Sequence, residues 1–373
     1  MPSPQNKQRT LYLITVIMRT VRILLFLIAF YVPFICNAFT RDKDTTANKN
    51  IYNNVDTTFI QSFRKFLTTK VVLTSRYNGF SLTDTAGRKL GYKINPKTNF
   101  GFGIGYKGIG FEIQFSPKAF GNNRDDNVYG TSQQFSISSS GNGRRFIYDA
   151  YLRTSQGFYN TQAYKIPGDT TGKTQFLKRS DMVNFNLGAE VVYIFNNKRF
   201  SSSAPYNFTQ RQKRGAGTAL LGTMLSVYTI SADSVIFPDS MKNKFSSEVQ
   251  FKNAGCLIYG FSFGYTYTFV FGKRKYWFAN IYTLPGLAVQ QYYATNAYSE
   301  ATKSRVTLGI PFQYRFAIGY NRTRYFFGLA VLGNNYDINT EKGANFSYKN
   351  GTVRLYYGYR FALKKEYFTK YLK

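Results

Sequence analysis

Leu257-Ile258-Tyr259-Gly260-Phe261-Ser262-Phe263-Gly264-Tyr265-Thr266-Tyr267-Thr268-Phe269-Val270-Phe271 places a ring or Leu257 at every second position. Between them stand Gly260, Ser262, Gly264, Thr266 and Thr268. Period two is the mark of a β-strand, whose successive side chains point to opposite faces. This one is too long and too aromatic for the sheet of an ordinary soluble domain, and its two faces ask for different solvents. A barrel wall in lipid meets that demand, with rings outward and small polar groups inward.

The pattern returns along the chain. Val306, Leu308, Ile310, Phe312, Tyr314, Phe316 and Ile318 alternate with Arg305, Thr307, Gly309, Pro311, Gln313, Arg315 and Ala317. Val353, Leu355, Tyr357, Tyr359 and Phe361 alternate with Arg354, Tyr356, Gly358 and Arg360. Val183, Phe185, Leu187, Ala189, Val191, Tyr193 and Phe195 do so against Asn184, Asn186, Gly188 and Glu190, and shorter versions cover 100–106 and 109–115. The fold expected is all-β: a transmembrane antiparallel up-and-down barrel of about twelve strands. With 36 Phe and 32 Tyr the chain is 18% aromatic. Its mean hydropathy is nevertheless only -0.31, because half of each strand is polar.

The N-terminus reads as a secretion signal over 1–38. Arg19 and Arg22 precede the apolar run 23–35, and Cys36-Asn37-Ala38 puts small residues where a signal peptidase cuts. Met18 stands where a compact signal would start; ribosome profiling with initiation at Met1 alone would exclude it as the start. The expected division is then a periplasmic segment over 39–69, the barrel over 70–363 and a basic periplasmic tail over 364–373. Export points to the outer membrane of a Gram-negative cell. Cys256 is the one cysteine left after cleavage, so no internal disulfide supports the barrel. Closure by hydrogen bonds between strands does so, as hydrocarbon requires.

Within 39–69, Phe59, Ile60, Phe63, Phe66 and Leu67 have the spacing of one helical face, with Asp56 or Thr57 as cap. A short periplasmic helix is expected there, either plugging the barrel base, lying on the inner leaflet, or packing on the rim.

Connections alternate short and long. The short ones are 107–108, 140–143, 272–274 and 320–323, and the long ones 83–98, 117–130, 156–179, 230–253, 291–304 and 337–346. Outer-membrane barrels put short turns in the periplasm. One short-side connection breaks the rule: 196–214 is long and contains Pro205 and a basic cluster. Pro285 and Pro311 fall inside strands, where each removes a ladder donor and implies a bulge.

Charge is unevenly spread. The formal net charge is +31, from 49 basic and 18 acidic residues. At the short-turn side sits a basic collar of Arg144, Arg145, Lys198, Arg199, Arg211, Lys213, Arg214, Lys273, Arg274 and Lys275, joined by Lys107, Arg322, Arg324, Lys364, Lys365, Lys370 and Lys373. Such a collar would face outer-membrane lipid through its anionic phospholipid head groups, or an acidic periplasmic partner, at roughly 1 kcal/mol per basic residue. A solvated rim that keeps turns out of lipid is the plainer alternative. An exported barrel does not meet nucleic acid, so that partner is set aside. The pattern sets no oligomeric state.

Histidine is absent. This removes Ser-His and Asp-His chemistry and the commonest metal ligand, and Cys256 alone holds no zinc. Asp125-Asp126 reads as a solvated turn, and Gly101, Gly103 and Gly105 lie at strand spacing as a small inner face. No enzyme, metal or cofactor is expected. The inward residues are the candidates: Arg76, Glu112, Asp149, Arg153, Glu190, Arg305, Arg315, Arg354 and Arg360. In one reading, surplus arginine in a narrow, water-filled lumen selects small anionic solutes, as charged rings do in pores. In the other, arginine pairs with Glu112, Asp149 and Glu190, and a closed barrel presents its long loops for adhesion or envelope assembly. A partly occluded lumen is the expectation, because the acids needed for pairing are present.

Arg76-Tyr77-Asn78-Gly79-Phe80-Ser81-Leu82, Tyr92, Asn95-Pro96 and the run 101–107 ending in Gly-Tyr-Lys, followed by Asp149, Tyr151 and Gly157-Phe158-Tyr159, resemble a Bacteroidota family catalogued as domain of unknown function 4421. The resemblance spans nearly the whole chain after residue 38. It implies an outer-membrane barrel and carries no activity.

Overall fold

The computed structural model describes residues 55–95, 98–106, 109–115, 126–164, 175–237, 250–296, 298, 302–341 and 344–362. All of them lie in one compact unit, Val55–Lys373. The expected signal at 1–38, the segment before Val55, the 107–108 turn with Lys107, and the tail with Lys364, Lys365, Lys370 and Lys373 fall outside the described residues.

In chain order the elements are β1 (Ile60–Ser62), β2 (Phe66–Thr83), β3 (Lys89–Lys93), β4 (Thr98–Tyr106), β5 (Ile109–Phe115), the one-turn helix α1 (Asp126–Tyr129), β6 (Gln133–Asn142), β7 (Phe146–Tyr164) and β8 (Gln175–Ile194). There follow α2 (Ser203–Tyr206), β9 (Gln210–Gln212), β10 (Ala216–Ser231), β11 (Phe251–Phe271), β12 (Trp277–Asn296), β13 (Thr302–Gly309), β14 (Phe312–Asn321), β15 (Tyr325–Glu341) and β16 (Ala344–Ala362). The strand quoted first is the second half of β11.

Hydrogen bonds run around the order β16-β15-β14-β12-β11-β10-β8-β7-β3-β2, and pairing of β16 with β2 closes it. The result is a closed antiparallel ring of ten strands with extra strands attached. The expected twelve are recovered as twelve passes of the chain. Strands β3 and β4 follow each other down the same neighbour, residues 79–83 of β2 pairing with β3 and residues 68–75 with β4. Likewise β13 and β14 follow each other down β12. The second interruption falls at Pro311, which has no N–H to give, and the Gly286 amide donates to the Pro311 carbonyl at 2.8 Å. At the long-loop end β3 meets β7 directly, through Tyr92↔Asn160 and Lys93↔Tyr159. Toward the short turns β5 pairs with β4 and β6 with β7. Among the described residues β5 and β6 share no ladder, so the wall there has a seam.

The faces are those the alternation predicts. In β11, Phe261 is 70% exposed while its neighbour Ser262 is 2% exposed. Rings outside and hydroxyls inside is the reverse of a soluble sheet. Gly264 answers to packing: a Cβ there would lie 2.0 Å from the Thr283 carbonyl oxygen of β12. It sits where the register between β11 and β12 skips from Ser262↔Gly286 to Tyr265↔Thr283, beside Pro285.

The expected helix over 59–67 is not formed. Residues 60–62 are β1, paired antiparallel with β9 (Ile60↔Gln212, Ser62↔Gln210), and Phe66 and Leu67 already belong to β2. Backbone partners explain the outcome, since the Lys213 amide donates to the Phe59 carbonyl at 2.6 Å and the Phe63 amide to the Thr209 carbonyl at 2.8 Å. A strand offered these bonds outcompetes a helix too short to stand alone. Asp56 caps a turn, accepting from the Thr58 amide at 3.0 Å.

Candidate functional site: the barrel interior

The side chains expected to face inward converge on a polar layer across the middle of the barrel. Arg315 of β14 donates to Asp149 of β7 at 2.5 Å, and its Nη2 lies 3.9 Å from a Glu190 oxygen on β8. Strands β14 and β7 stand five places apart in a ring of ten, so this pair spans the lumen between opposite walls. Gln313 donates to Glu190 at 2.8 Å and to Asn334 at 3.0 Å, and Arg153 of β7 donates to Asn350 of β16 at 3.0 Å. A second knot forms nearer β4 and β5. There Arg354 and Lys70 both hold Glu112, Lys70 at 2.6 Å, and Arg76 donates to Gln114 at 3.3 Å. Arginine forks suit such crowded carboxylate sites.

Above this layer the interior turns aromatic. Tyr228 of β10 packs on Tyr348 of β16 with ring centroids 3.9 Å apart, and Phe346 stacks on Phe80 at 5.6 Å. Phe80 in turn meets Tyr92 and Phe158 at 5.2 and 5.7 Å. These rings come from five strands and reach from wall to wall. Residues 235–237 then fold over the long-loop mouth. Arg179 donates to the carbonyls of Val235 and Ile236 at 2.7 and 3.0 Å, and the Tyr92 hydroxyl donates to the Ile236 carbonyl at 2.5 Å.

The short-turn mouth is filled by the connection between β8 and β10, the one that broke the length rule. Phe208 inserts against Phe326, Tyr356 and Phe278, with centroids at 4.5, 4.7 and 5.9 Å. The Tyr356 hydroxyl donates to the Pro205 carbonyl at 3.0 Å, and Tyr206 donates to Asn280 at 2.6 Å. Asn280 is itself held by Thr266 and Thr268 at 3.1 and 2.9 Å. Thr266 and Thr268 on the small polar face of β11 thus fix Asn280 of β12, which receives the plug.

Between the layers lies a cavity of 1170 Å³. Its wall includes Lys70, Arg76, Glu112, Asp149, Arg153, Glu190, Arg315 and Arg354. Seven of the nine predicted inward residues therefore meet in one place, with Lys70 added to them. The other two lie away from the cavity. Arg305 is exposed near the long-loop end and donates to the Thr340 carbonyl at 3.1 Å. Arg360 is 1% exposed at the opposite end and grips the plug, donating to the Phe208 carbonyl at 2.5 Å.

The ten collar residues gather at the short-turn end. Several hold neighbouring segments together: Arg199 lies 3.5 Å from Asp56, Lys213 donates to the Thr57 carbonyl at 3.0 Å, and Arg144 donates to Asn197 at 3.2 Å. Arg211 lies over the Tyr276 ring at 4.9 Å and Arg214 over Phe59 at 5.8 Å. Arg145 and Lys198 flank the same mouth, and Lys273, Arg274 and Lys275 form the β11–β12 turn, with Lys275 at φ 52°.

The inner aromatic layer escaped the sequence reading, which placed rings in lipid. Parity held the signal. Phe346 and Tyr348 share even numbering with Asn350 and Arg354 on β16, and Phe80 shares it with Arg76 and Asn78 on β2.

Fold and interior together define a closed antiparallel β-barrel whose axis is occupied by its own side chains and by a folded-in connection. The chain belongs to the family described as Domain of unknown function (DUF4421), whose model matches residues 54–361. No curated protein matches it. Among solved structures it is similar to the outer membrane protease OmpT of Escherichia coli, with a TM-score of 0.38, 8% identity, and coverage of 81% of this chain and 98% of that one. It is also similar to the β domain of the Bordetella autotransporter BrkA (0.34, 9%, 78% and 99%). The translocator domain of the autotransporter NalP from Neisseria meningitidis gives 0.30 and 10%, with 79% and 88% covered.

Proposed function

We propose that this chain is a Gram-negative outer-membrane barrel that does not conduct along its axis, a closed body carrying long loops outward and a basic rim toward the periplasm. The outward apolar side chains, among them Phe261, Phe263, Leu287, Val306 and Leu308 at 62–70% exposure, support a lipid-facing wall. The observation that carries the closed reading is Arg315 reaching Asp149 across the full width of the ring, beneath the Tyr228–Tyr348 layer and above the Phe208 plug. A chain without histidine supports a non-enzymatic role.

Two measurements test this. The protein is expected to stay in the membrane fraction through carbonate washing, and release into the supernatant would remove the membrane reading. Purified protein in planar bilayers is expected to give no discrete current steps. Anion-selective steps reduced by Arg315→Ala would instead favour the narrow pore for small anionic solutes.

A further inference from the structure

Among the described residues the wall has two gaps. Toward the long loops, β13 pairs with β12 and the upper part of β15 pairs with β16, so β13 and β15 share no ladder. That gap is sealed. Arg305 donates to the Thr340 carbonyl, Gln290 donates to the Asp337 carbonyl at 3.1 Å, and the space behind is filled by Tyr336 and Ile338, 8% and 0% exposed. The seam between β5 and β6 has no such filling: the 1170 Å³ cavity lies behind it. That volume exceeds the roughly 300–1,000 Å³ of ordinary small-molecule sites. The cavity is lined from inside by Glu112 and Gln114 of β5 and by Ser136, Ser138 and Ser140 of β6. It is also lined by Phe111, Phe135 and Ile137 of the outward face, exposed by 72, 56 and 61%. One space therefore touches both faces of both edge strands.

The charge inside it is unbalanced on the seam side. Asp149 and Glu190, which also line the cavity, lie on Arg315, and Lys70, Arg76, Arg153 and Arg354 are left with one carboxylate, Glu112, which pairs with Lys70 and Arg354 alone. Among the described residues Arg76 and Arg153 have no ion-pair partner; the first donates to Gln114, and the second donates to Asn350 and lies over the Tyr151 ring. The Nε atoms of Arg153 and Arg354 are buried without a hydrogen-bond partner. Buried donors left unpaired cost roughly 1–3 kcal/mol each, and unpaired strand edges facing hydrocarbon cost more. An anionic group among these guanidinium forks offsets the first, and an apolar chain lying along Phe111, Phe135 and Ile137 matches the surface beside the second.

We propose that the cavity binds a membrane amphiphile with an anionic head group, which enters sideways through the β5–β6 seam. Its head is held by Lys70, Arg76, Arg153 and Arg354, and its chain remains at the apolar lip. The inference rests on the membrane reading, and the two fail separately: carbonate washing reports on residence, ligand retention on the cavity.

The test is native mass spectrometry of the refolded full chain in detergent, with phosphatidylglycerol, phosphatidylcholine and oleate as probes. Unheated gel migration verifies folding of each variant. An anionic probe is expected to be retained at least tenfold better than phosphatidylcholine, with phosphatidylglycerol or oleate prevailing according to whether the head is phosphate or carboxylate. The double variant Arg76→Gln, Arg153→Gln, which breaks no ion pair, is expected to lose retention tenfold or more. Ser138→Trp, which fills the cavity from β6 and leaves every charge in place, should lose it as well, whereas Leu221→Trp on the outward face of β10, away from the cavity, should not. Equal retention of all three probes, or retention unchanged in both cavity variants, overturns the proposal. So does a lipid-free dimer, which would assign the edge strands to a second copy.

Discussion

Phe208 has φ +58°, a left-handed conformation that bulky side chains avoid. Two groups hold it there. Its ring is enclosed by Phe326, Tyr356 and Phe278, and its carbonyl accepts from Arg360. Arg360 has no carboxylate partner among the described residues; it donates instead to the carbonyls of Arg322, Thr323 and Phe208 and to Asn321, with the rings of Phe63 and Phe326 3.9 and 4.5 Å away. A guanidinium buried this way binds four acceptors at once, the fixed fork that lysine lacks. One hydrogen bond to a charged group contributes roughly 1.5–3 kcal/mol. Arg360→Ala should therefore lower protection from hydrogen exchange over 203–210 about a hundredfold, taking about 1.4 kcal/mol per tenfold, while the barrel keeps its unheated gel mobility. Unchanged protection would show that the rings alone hold the plug. In the sequence Arg360 could be placed inward by alternation, but its acceptor at Phe208 lies 152 residues away on a connection read as periplasmic.

Among elements, the β2–β3 hairpin decides how many strands close the barrel, because β3 is the link from β2 to β7. Its tip is organised by Asp84, which accepts from the Ala86 and Arg88 amides at 3.0 and 2.8 Å and pairs with the Arg88 guanidinium at 2.7 Å. Burial pushes this carboxyl up, and the Arg88 side chain and the two amides outweigh it, so its pKa lies below the usual carboxylate value. A lowered folded pKa stabilises above the unfolded value of about 3.9 and loses that effect as pH falls through the folded value. Exchange over 79–83, corrected for intrinsic rates, should thus quicken as pH drops below about 4, and Asp84→Asn should remove that pH dependence. A wild-type tip insensitive to acid would contradict this. Element type was legible because a wall with two unlike faces demands strict alternation, and β11, β14 and β16 show it. β3 was not: Lys89–Lys93 is five residues inside a polar stretch, with no alternation long enough to stand out. The helix expected over 59–67 failed for the opposite reason, since a short apolar spacing fits a strand and a turn as well as a helical face.

At the scale of the molecule, closure is built in series: a capped mouth, an aromatic layer, a charged layer and a plug. Removing one leaves the others. Replacing residues 199–211 by a short Asn-Gly turn is expected to leave planar bilayers sealed, and adding Tyr228→Ala, Phe346→Ala and Tyr348→Ala to that deletion is expected to produce current steps. Steps from the deletion alone would mean that the upper layers do not block. The sequence by itself determined a β-barrel wall, the apolar outward face of its strands, the inward charged residues and the gathering of basic residues at one end, because alternation and turn length are local. Only the tertiary structure decided that Arg315 meets Asp149 across the lumen, that the 196–214 connection enters the barrel rather than hanging from it, and that β5 and β6 part to leave a charged cavity open at the side. Those outcomes depend on ring order and on contacts between residues more than a hundred positions apart, which no local period encodes.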